Sequence, residues 1–177
     1  MKKEKLAYFA GGCFWCTEAV FQNLRGVDRI ISGYMGGFIK NPAYREICTG
    51  RTGHAEGIQL TYDENVLSYK DLLYVFFATH DPTTLNRQGN DVGTQYRSAI
   101  FYVDDLQEAI AKEVIAELQQ TTFEAPIVTQ LLSEHPFYTA EEEHQNYYNQ
   151  HTEQLYCSYV ISPKVAKLKE KFNHLLH

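Results

Sequence analysis

The order of strands and helices in the first 103 residues is the strongest constraint on the fold of this 177-residue chain. Runs of β-branched and alternating apolar residues predict four strands, with one helix after the first strand and another after the third. A β-α-β-β-α-β order is typical of ferredoxin-like folds, so we predict an α+β fold, a two-layer sandwich with a ferredoxin-like core. The predicted strands are Lys5–Ala10, Val27–Tyr34, Ala55–Tyr62 and Ser98–Val103, and the predicted helices are Cys13–Leu24 and Ser68–Thr79.

The rest of the chain predicts a C-terminal helical extension, without a repeat or linker that would divide residues 1–177 into more than one domain. Two long segments, 38–53 and 80–96, contain no regular pattern. Loops of this length in a compact domain tend to be functional, so we expect site residues there. The elements predicted after residue 103 are a helix at Leu106–Gln120, a strand at Ile127–Leu132, a helix from Thr139 and a Lys-rich helix from Ser162-Pro163.

Charge and hydropathy exclude several classes of partner. The net charge of −6 argues against nucleic-acid binding, because a phosphate backbone requires a basic surface. No basic and apolar leader precedes Phe9, and no apolar run is long enough to span a bilayer. We expect a cytoplasmic, monomeric protein that binds neither nucleic acid nor membranes.

The four cysteines indicate thiol chemistry rather than a structural disulfide framework. Cys13 and Cys16 form one C-x-x-C pair, whereas Cys48 and Cys157 are single. In a reducing compartment so sparse a set points to redox, catalytic or metal roles. A structural zinc site would require a second closely spaced pair, which the sequence lacks. We expect no metal and no cofactor.

Cys13 lies where a predicted strand meets a predicted helix. Gly11 and Gly12 before it allow a sharp turn and the close approach of a small ligand. The free N–H groups of a helix N-terminus favour a thiolate, so we expect this thiol to lose its proton readily. Phe14 and Trp15 follow it and could form an apolar pocket. The pattern predicts an activated cysteine in an aromatic cage.

Two other interpretations of the cysteine pair stay open. Free cysteines are often buried in helices as small hydrophobic residues. The pair could also be a thioredoxin-like dithiol, although such pairs usually enclose Pro or Gly beside a polar residue rather than Phe14 and Trp15. The aromatic dipeptide favours the binding of something small and apolar next to Cys13.

Glu56, between Gly53 and Gly57, stands at the entry to an otherwise half-buried strand. A lone carboxylate in such a place is usually a solvated strand end. If Glu56 instead faces the aromatic pocket, loss of solvent would raise its pKa and make it a general acid.

Other candidates lie in the two irregular segments. Tyr44 and Tyr96 are possible hydroxyl donors to a bound oxygen, although most of the 13 tyrosines must serve packing. Asp91 is either a turn former or a residue that fixes those donors. We interpret His80 and His144 as structural hydrogen-bonding residues.

Several collinear motifs, which together cover nearly the whole chain, resemble those of the A-type peptide methionine sulfoxide reductases. Enzymes of this class restore one epimer of methionine sulfoxide. The motifs are Gly12-Cys-Phe-Trp15, Gly33-Tyr-Met-Gly-Gly37, Asn41-Pro-Ala-Tyr44, Thr52-Gly-His-Ala-Glu56, His80-Asp-Pro-Thr-Thr84, Gln88-Gly-Asn-Asp-Val-Gly-Thr-Gln-Tyr-Arg-Ser98 and Glu143-His-Gln145.

This resemblance implies the thiol-dependent reduction of methionine-S-sulfoxide, free or in oxidised proteins and peptides, to methionine. Phe14 and Trp15 would hold the methyl group of the substrate. The catalytic roles that the resemblance implies are Cys13 as nucleophile, Glu56 as proton donor, Tyr44 and Tyr96 as oxygen-binding residues and Asp91 as their support.

The resemblance also implies how the enzyme is recycled. Cys13 would become a sulfenic acid, a second cysteine would condense with it, and thioredoxin would reduce the resulting disulfide. Cys157, on an expected flexible segment near the C-terminus, resembles the resolving cysteine of a shorter-tailed subgroup. Cys16, where most members have Gly, lies one helical turn from Cys13 and is the alternative. We expect Cys48 to be a bystander.

Two further functions stay open at this stage. A disulfide oxidoreductase would need Cys13 and Cys16 equally and would not consume a sulfoxide. A peptide-binding module would hold methionine side chains against Trp15 and would still bind them without Cys13.

Overall fold

A six-stranded sheet forms the centre of the structure, a computed structural model that describes residues 1–177. The strands of the chain are β1 (Glu4–Ala10), β2 (Val27–Met35), β3 (Ala55–Asp63), β4 (Arg87–Gln88), β5 (Asp91–Val92), β6 (Ala99–Tyr102), β7 (Gln130–Ser133) and β8 (Phe137–Thr139). In the large sheet the order is β7-β6-β1-β3-β2-β8, and β4 pairs with β5 in a separate hairpin. All neighbouring strands are antiparallel except β6 and β7, which are parallel.

Helices pack on one face of this sheet. They are α1 (Phe14–Phe21), α2 (Tyr44–Ile47), α3 (Tyr69–Ala78), α4 (Asp105–Thr121), α5 (Tyr147–Gln150) and α6 (Ser162–Lys171). The main apolar core joins side chains of β1 and β3 to side chains of α1, α3, α4 and α6. Within it the ring of Phe9 stacks on Phe21 and Phe76, at centroid distances of 5.4 and 5.0 Å. No helix combines the length and apolar character needed to cross a membrane.

The strand register decides which way Glu56 points. Glu56 of β3 is paired with Tyr34 of β2, and Ile58, two residues later, is paired with Phe9 of β1. Alternate residues of a strand share a face, so Glu56 lies on the same face as Ile58 and Phe9, which is the face that the helices cover.

The predicted strands and helices of the first 103 residues are all present, although α1 ends at Phe21 rather than at Leu24. Ser68 caps α3 as its sequence predicts, because its side chain accepts a hydrogen bond from the Asp71 N–H at 3.0 Å. The Lys-rich helix also begins at Ser162, as predicted.

The helix predicted from Thr139 is wrong. Thr139 instead ends strand β8, where it pairs with Gly33, and a single 3₁₀ turn and the short α5 follow it. The Gln145 side chain accepts from the Ser32 N–H at 2.9 Å and donates to the Ser32 carbonyl at 2.9 Å. Asn146 then adopts a left-handed conformation with φ of 53°, which interrupts a helix. Tertiary hydrogen bonds therefore override the local helical pattern.

Because Phe9 is 1% exposed and stacked between two helices, we expect Phe9→Ala to lower the free energy of unfolding by about 3–5 kcal/mol. Urea denaturation followed by circular dichroism would measure this loss. Leu106→Ala, at a side chain that is 64% exposed, is the matched control and should change stability by less than about 0.5 kcal/mol. Equal effects of the two substitutions would contradict this description of the core.

Candidate active site

Cys13 is the residue that immediately precedes α1, and the chain turns sharply to reach it. Gly12 has a φ of +97°, and a Cβ there would come within 2.7 Å of the Gln88 side chain. Cys13 borders an open cavity of about 510 Å³, which we call the thiol cavity. Other side chains that line the thiol cavity include those of Cys16, Asp91, Tyr156 and Lys164.

The protonation state of Cys13 differs from the sequence prediction. Cys13 is only 8% exposed, and burial, together with the nearby Glu56 carboxylate, raises the pKa of its thiol well above the ordinary value. Hydrogen bonding from the Trp15 N–H, at the helix N-terminus, acts in the predicted direction but is the smaller effect. The prediction that this thiol ionises readily is therefore wrong, because exclusion of solvent outweighs the effect of the helix N-terminus.

Glu56 faces the aromatic pocket rather than solvent. Its side chain is 1% exposed, and Oε1 accepts a hydrogen bond from the Phe14 N–H at 3.2 Å. Oε2 is buried and has no hydrogen-bond partner. Burial raises the pKa of Glu56 to about 8, although the hydrogen bond from the Phe14 N–H lowers it. Glu56 is therefore a protonated acid at neutral pH, next to the thiol of Cys13.

Tyr44 and Tyr96 are both half-buried near this pair. Burial raises the pKa of each phenol most, and the charge of Glu56 raises it further. Both tyrosines therefore keep their protons and can donate hydrogen bonds. Glu141 holds Tyr44 in place: Oε2 accepts from the Tyr44 N–H at 2.8 Å, while Oε1 accepts from the Tyr34 hydroxyl at 2.8 Å. Glu141 is not among the site residues predicted from the sequence.

Trp15 lies in a cage of aromatic rings. Its ring stacks on Tyr147 at a centroid distance of 3.7 Å and an angle of 6°, and Tyr156 meets it edge-on at 5.9 Å. The indole N–H donates to Nδ1 of His144 at 3.2 Å. Phe14 is fully buried and packs on the rings of Tyr34 and His144, so the half-buried Trp15 presents the accessible apolar surface.

His144 is a site residue that the sequence analysis treated as merely structural. Its ring centroid is 4.3 Å from that of Tyr44, and the residue is 6% exposed. Burial lowers its pKa, so the ring is neutral, and because Nδ1 accepts from Trp15 its proton is on Nε2. Nε2 has no hydrogen-bond partner, since the Glu143 carboxylate is 3.9 Å away. The Glu-His-Gln motif was the available signal.

Asp91 has a different partner from the one expected. Oδ2 of Asp91 accepts a hydrogen bond from the Tyr156 hydroxyl at 2.7 Å, and Asp91 makes no hydrogen bond with Tyr44 or Tyr96. The β4–β5 hairpin carries Asp91 to the thiol cavity. Tyr156, which the sequence analysis did not identify, is thus the residue that Asp91 orients.

All four cysteines are free thiols. Cys157 is fully buried at the start of a π-helical segment, Cys157–Ile161, so the expected flexible approach is wrong. The apolar cluster around α1, which also contains Ile161 and Cys16, packs Cys157 away from solvent. Cys48 is exposed at the end of α2. No group of three or more His, Cys, Asp or Glu side chains is arranged to hold a metal ion.

Comparison with known families agrees with this geometry. The family model described as "Peptide methionine sulfoxide reductase" matches residues 5–176. The chain belongs to this family. A peptide methionine sulfoxide reductase MsrA of Chromobacterium violaceum is 55% identical over 171 residues, which are 96% of this chain and 97% of the relative.

Solved structures of this reductase family share the mixed α+β fold. The reduced form of Mxr1 from Saccharomyces cerevisiae has a TM-score of 0.81 and 33% identity, over 88% of this chain and 90% of Mxr1. Mxr1 has also been solved in complex with Trx2, with a TM-score of 0.57 and 25% identity, over 82% of this chain and 85% of that chain.

Proposed function

We propose that this protein reduces methionine-S-sulfoxide, free or within oxidised peptides and proteins, to methionine. The observation that carries the proposal is the pairing of Cys13 with a protonated, buried Glu56 at the start of α1. One carboxyl oxygen of Glu56 is held by the Phe14 N–H, while the other has no partner and is free to meet a substrate oxygen. Membership of the peptide methionine sulfoxide reductase family supports this assignment.

The reaction needs a nucleophile for sulfur and an acid for oxygen. The sulfur of Cys13 attacks the sulfoxide sulfur while Glu56 protonates the oxygen, which makes the sulfur more electrophilic. The thiol proton of Cys13 replaces the proton that Glu56 gives up, so the step consumes no net proton. The hydroxyl group so formed then passes from the substrate sulfur to Sγ of Cys13 while the sulfur–sulfur bond and the original sulfur–oxygen bond break, so methionine leaves and Cys13 becomes a sulfenic acid.

The surrounding side chains would orient the substrate. Tyr44 and Tyr96 keep their protons and would donate hydrogen bonds to the sulfoxide oxygen. Trp15, next to the buried Phe14, would hold the methyl group, and Asp91 would support the polar side of the site through Tyr156. Placing oxygen and methyl on opposite walls would select one configuration at sulfur.

Recycling requires a second cysteine and an external reductant. The sulfenic acid of Cys13 would form an intramolecular disulfide, and thioredoxin would reduce it. A solved complex of the related Mxr1 with Trx2 supports thioredoxin as the partner. The resemblance assigns the resolving role to Cys157, with Cys16 as the alternative. Cys157 lies in the same buried apolar cluster as Cys13 and Cys16, but it does not line the thiol cavity.

We also propose that residues 1–177 form one domain whose core is a ferredoxin-like two-layer sandwich. The antiparallel order β6-β1-β3-β2 and the positions of α1 and α3 after β1 and β3 support this description. A cytoplasmic location, a monomeric state and the lack of nucleic-acid or membrane partners stay predictions.

Mixing the protein with one equivalent of sulfoxide, without reductant, tests the proposed function. We expect about one methionine per protein from the S epimer and none from the R epimer, because the thiol can attack only one configuration in the site. Chromatography would measure methionine, and adding thioredoxin with its reductase and NADPH should permit many turnovers. Equal consumption of both epimers, or of neither, would contradict the proposal.

A further inference from the structure

Cys16 has hydrogen-bonding surroundings that sulfoxide reduction does not use. Its Sγ lies 3.6 Å from the Tyr156 hydroxyl, and that hydroxyl donates to Oδ2 of Asp91 at 2.7 Å. Tyr156 has a single phenolic proton, which Asp91 already accepts, so the thiol of Cys16 is the donor to Tyr156. A continuous chain of hydrogen bonds therefore joins the Cys16 thiol to a carboxylate on the thiol cavity.

Lys164 gives Cys16 a neighbouring positive charge. This residue of α6 lines the thiol cavity together with Cys13 and Cys16, is half-buried, and forms no ion pair. Burial raises the pKa of Cys16, and the ammonium group of Lys164 is the largest influence that lowers it. Lys164 thus favours the thiolate, which is the form that attacks.

The other titratable groups around Cys16 have smaller or opposite effects. Hydrogen bonding with Tyr156 lowers the pKa of Cys16, whereas Asp91 and Cys157 raise it. His80, which lines a small void beside Cys16, is neutral at physiological pH because burial lowers its pKa to about 4. Lys164 is therefore the cation with the largest effect on this thiol.

The backbone also places Cys16 within disulfide range of Cys13. The Cys16 N–H donates to the Cys13 carbonyl at 3.0 Å, which closes one turn. A turn of this kind keeps its end Cα atoms within about 7 Å, and disulfides span Cα separations of about 4.4–6.8 Å. Cys157, by contrast, does not line the thiol cavity.

We infer that Cys16 is the cysteine that resolves the Cys13 sulfenic acid, and that Tyr156 and Lys164 are positioning residues for this step. The inference rests on the proposed function, which supplies the sulfenic acid. Sγ of Cys16 attacks Sγ of Cys13, the sulfur–sulfur bond forms and the sulfur–oxygen bond of the sulfenic acid breaks. The thiol proton passes through Tyr156 to Asp91, which returns a proton to the departing hydroxide, so that water leaves. Cys16 is oxidised, the Cys13 sulfenic sulfur is reduced, and no further oxidant is needed.

Single-turnover measurements on the full-length protein test this inference. After one equivalent of methionine-S-sulfoxide without reductant, mass mapping should find a Cys13–Cys16 disulfide. Lys164→Gln should slow the loss of free thiols by about tenfold or more, while the burst of methionine stays unchanged. Tyr156→Phe should slow thiol loss by a similar factor when the rate is compared with the methionine burst of the same variant, because Tyr156 also borders Trp15. The matched control for Lys164→Gln is Lys167→Gln, at an exposed lysine of α6 that does not line the thiol cavity and should recycle at the normal rate.

A pH profile separates charge effects from loss of structure. Removing the ammonium group should raise the pH midpoint of disulfide formation in Lys164→Gln, whereas a merely structural role for Lys164 would leave the midpoint unchanged. A Cys13–Cys157 disulfide in the unaltered protein, or normal recycling by Cys16→Ser, would overturn the inference. Failure of the proposed function would look different, because the methionine burst itself would be missing.

Discussion

Cys13→Ser is expected to lower the rate of methionine formation from methionine-S-sulfoxide by at least about 10⁴-fold, to the background of the assay. A serine hydroxyl is a far weaker nucleophile than a thiol, so the substitution removes the group that attacks sulfur in the proposed reaction. Because serine is close to cysteine in size, the fold around α1 should be retained. The measurement is methionine released in a single turnover, with circular dichroism as the check on folding.

Two further variants make the result specific. Cys48→Ser, at an exposed thiol, should release methionine at the normal rate. Cys16→Ser should keep the first turnover, whereas a disulfide oxidoreductase would need both cysteines of the pair equally. If the unaltered protein bound methionine peptides but reduced no sulfoxide, the result would instead favour a binding module. Methionine release at the normal rate by Cys13→Ser would show that Cys13 is not the nucleophile.

Glu56→Gln is the second substitution with a large expected effect, a fall of about 10²- to 10⁴-fold in the reductive step. The amide can still donate a hydrogen bond to the sulfoxide oxygen, but it cannot transfer a proton. The difference in rate between the unaltered protein and Glu56→Gln therefore measures the contribution of proton transfer separately from that of positioning. Glu56→Ala at an unchanged rate would show that the general-acid assignment is wrong.

The pH dependence gives an independent measurement of the same role. Burial raises the pKa of Glu56 to about 8, so the required acid form is present below that pH and is lost above it. We expect the ratio of the unaltered rate to the Glu56→Gln rate to be constant below about pH 8 and to fall about tenfold per pH unit above it. A ratio that does not change with pH would contradict the assignment.

The same shift predicts how stability responds to pH. The folded state binds the Glu56 proton more tightly than the unfolded state, in which the ordinary pKa of 4.5 applies. The contribution of Glu56 to stability is therefore complete below about pH 4.5 and is lost as pH rises towards about 8. Glu56→Gln should abolish this part of the pH dependence in urea denaturation, and the same experiment confirms that the variant is folded.

Local patterns were sufficient for much of the fold and for the central pair of residues. The alternation in β1 and β3 and the capping box at Ser68 are short-range features, so the strands and helices up to residue 103 could be predicted. Gly12 before Cys13 marked a sharp turn because a left-handed backbone strongly favours glycine. The position of Glu56 at a strand entry was visible, but its orientation depended on the pairing with Tyr34.

The C-terminal third of the chain was harder to predict because its conformation depends on distant contacts. The segment after Thr139 has a helical pattern. Hydrogen bonds between Gln145 and Ser32, and the pairing of β8 with β2, instead hold it in a largely non-helical conformation. This segment brings His144 and Tyr156 to Trp15, and both contacts depend on the tertiary fold. Both residues lie more than 120 positions from Cys13 along the chain.

The chemistry of this protein therefore follows from two levels of structure. Residue types and their short-range spacing determine a thiol at a helix start, an acid on a neighbouring strand and the family to which the chain belongs. Tertiary packing decides their proton states, because a pKa depends on how much solvent the rest of the chain excludes. That packing raises the pKa of the Cys13 thiol where the helix start predicted a lower one, and it places Cys16 rather than Cys157 on the cavity beside it.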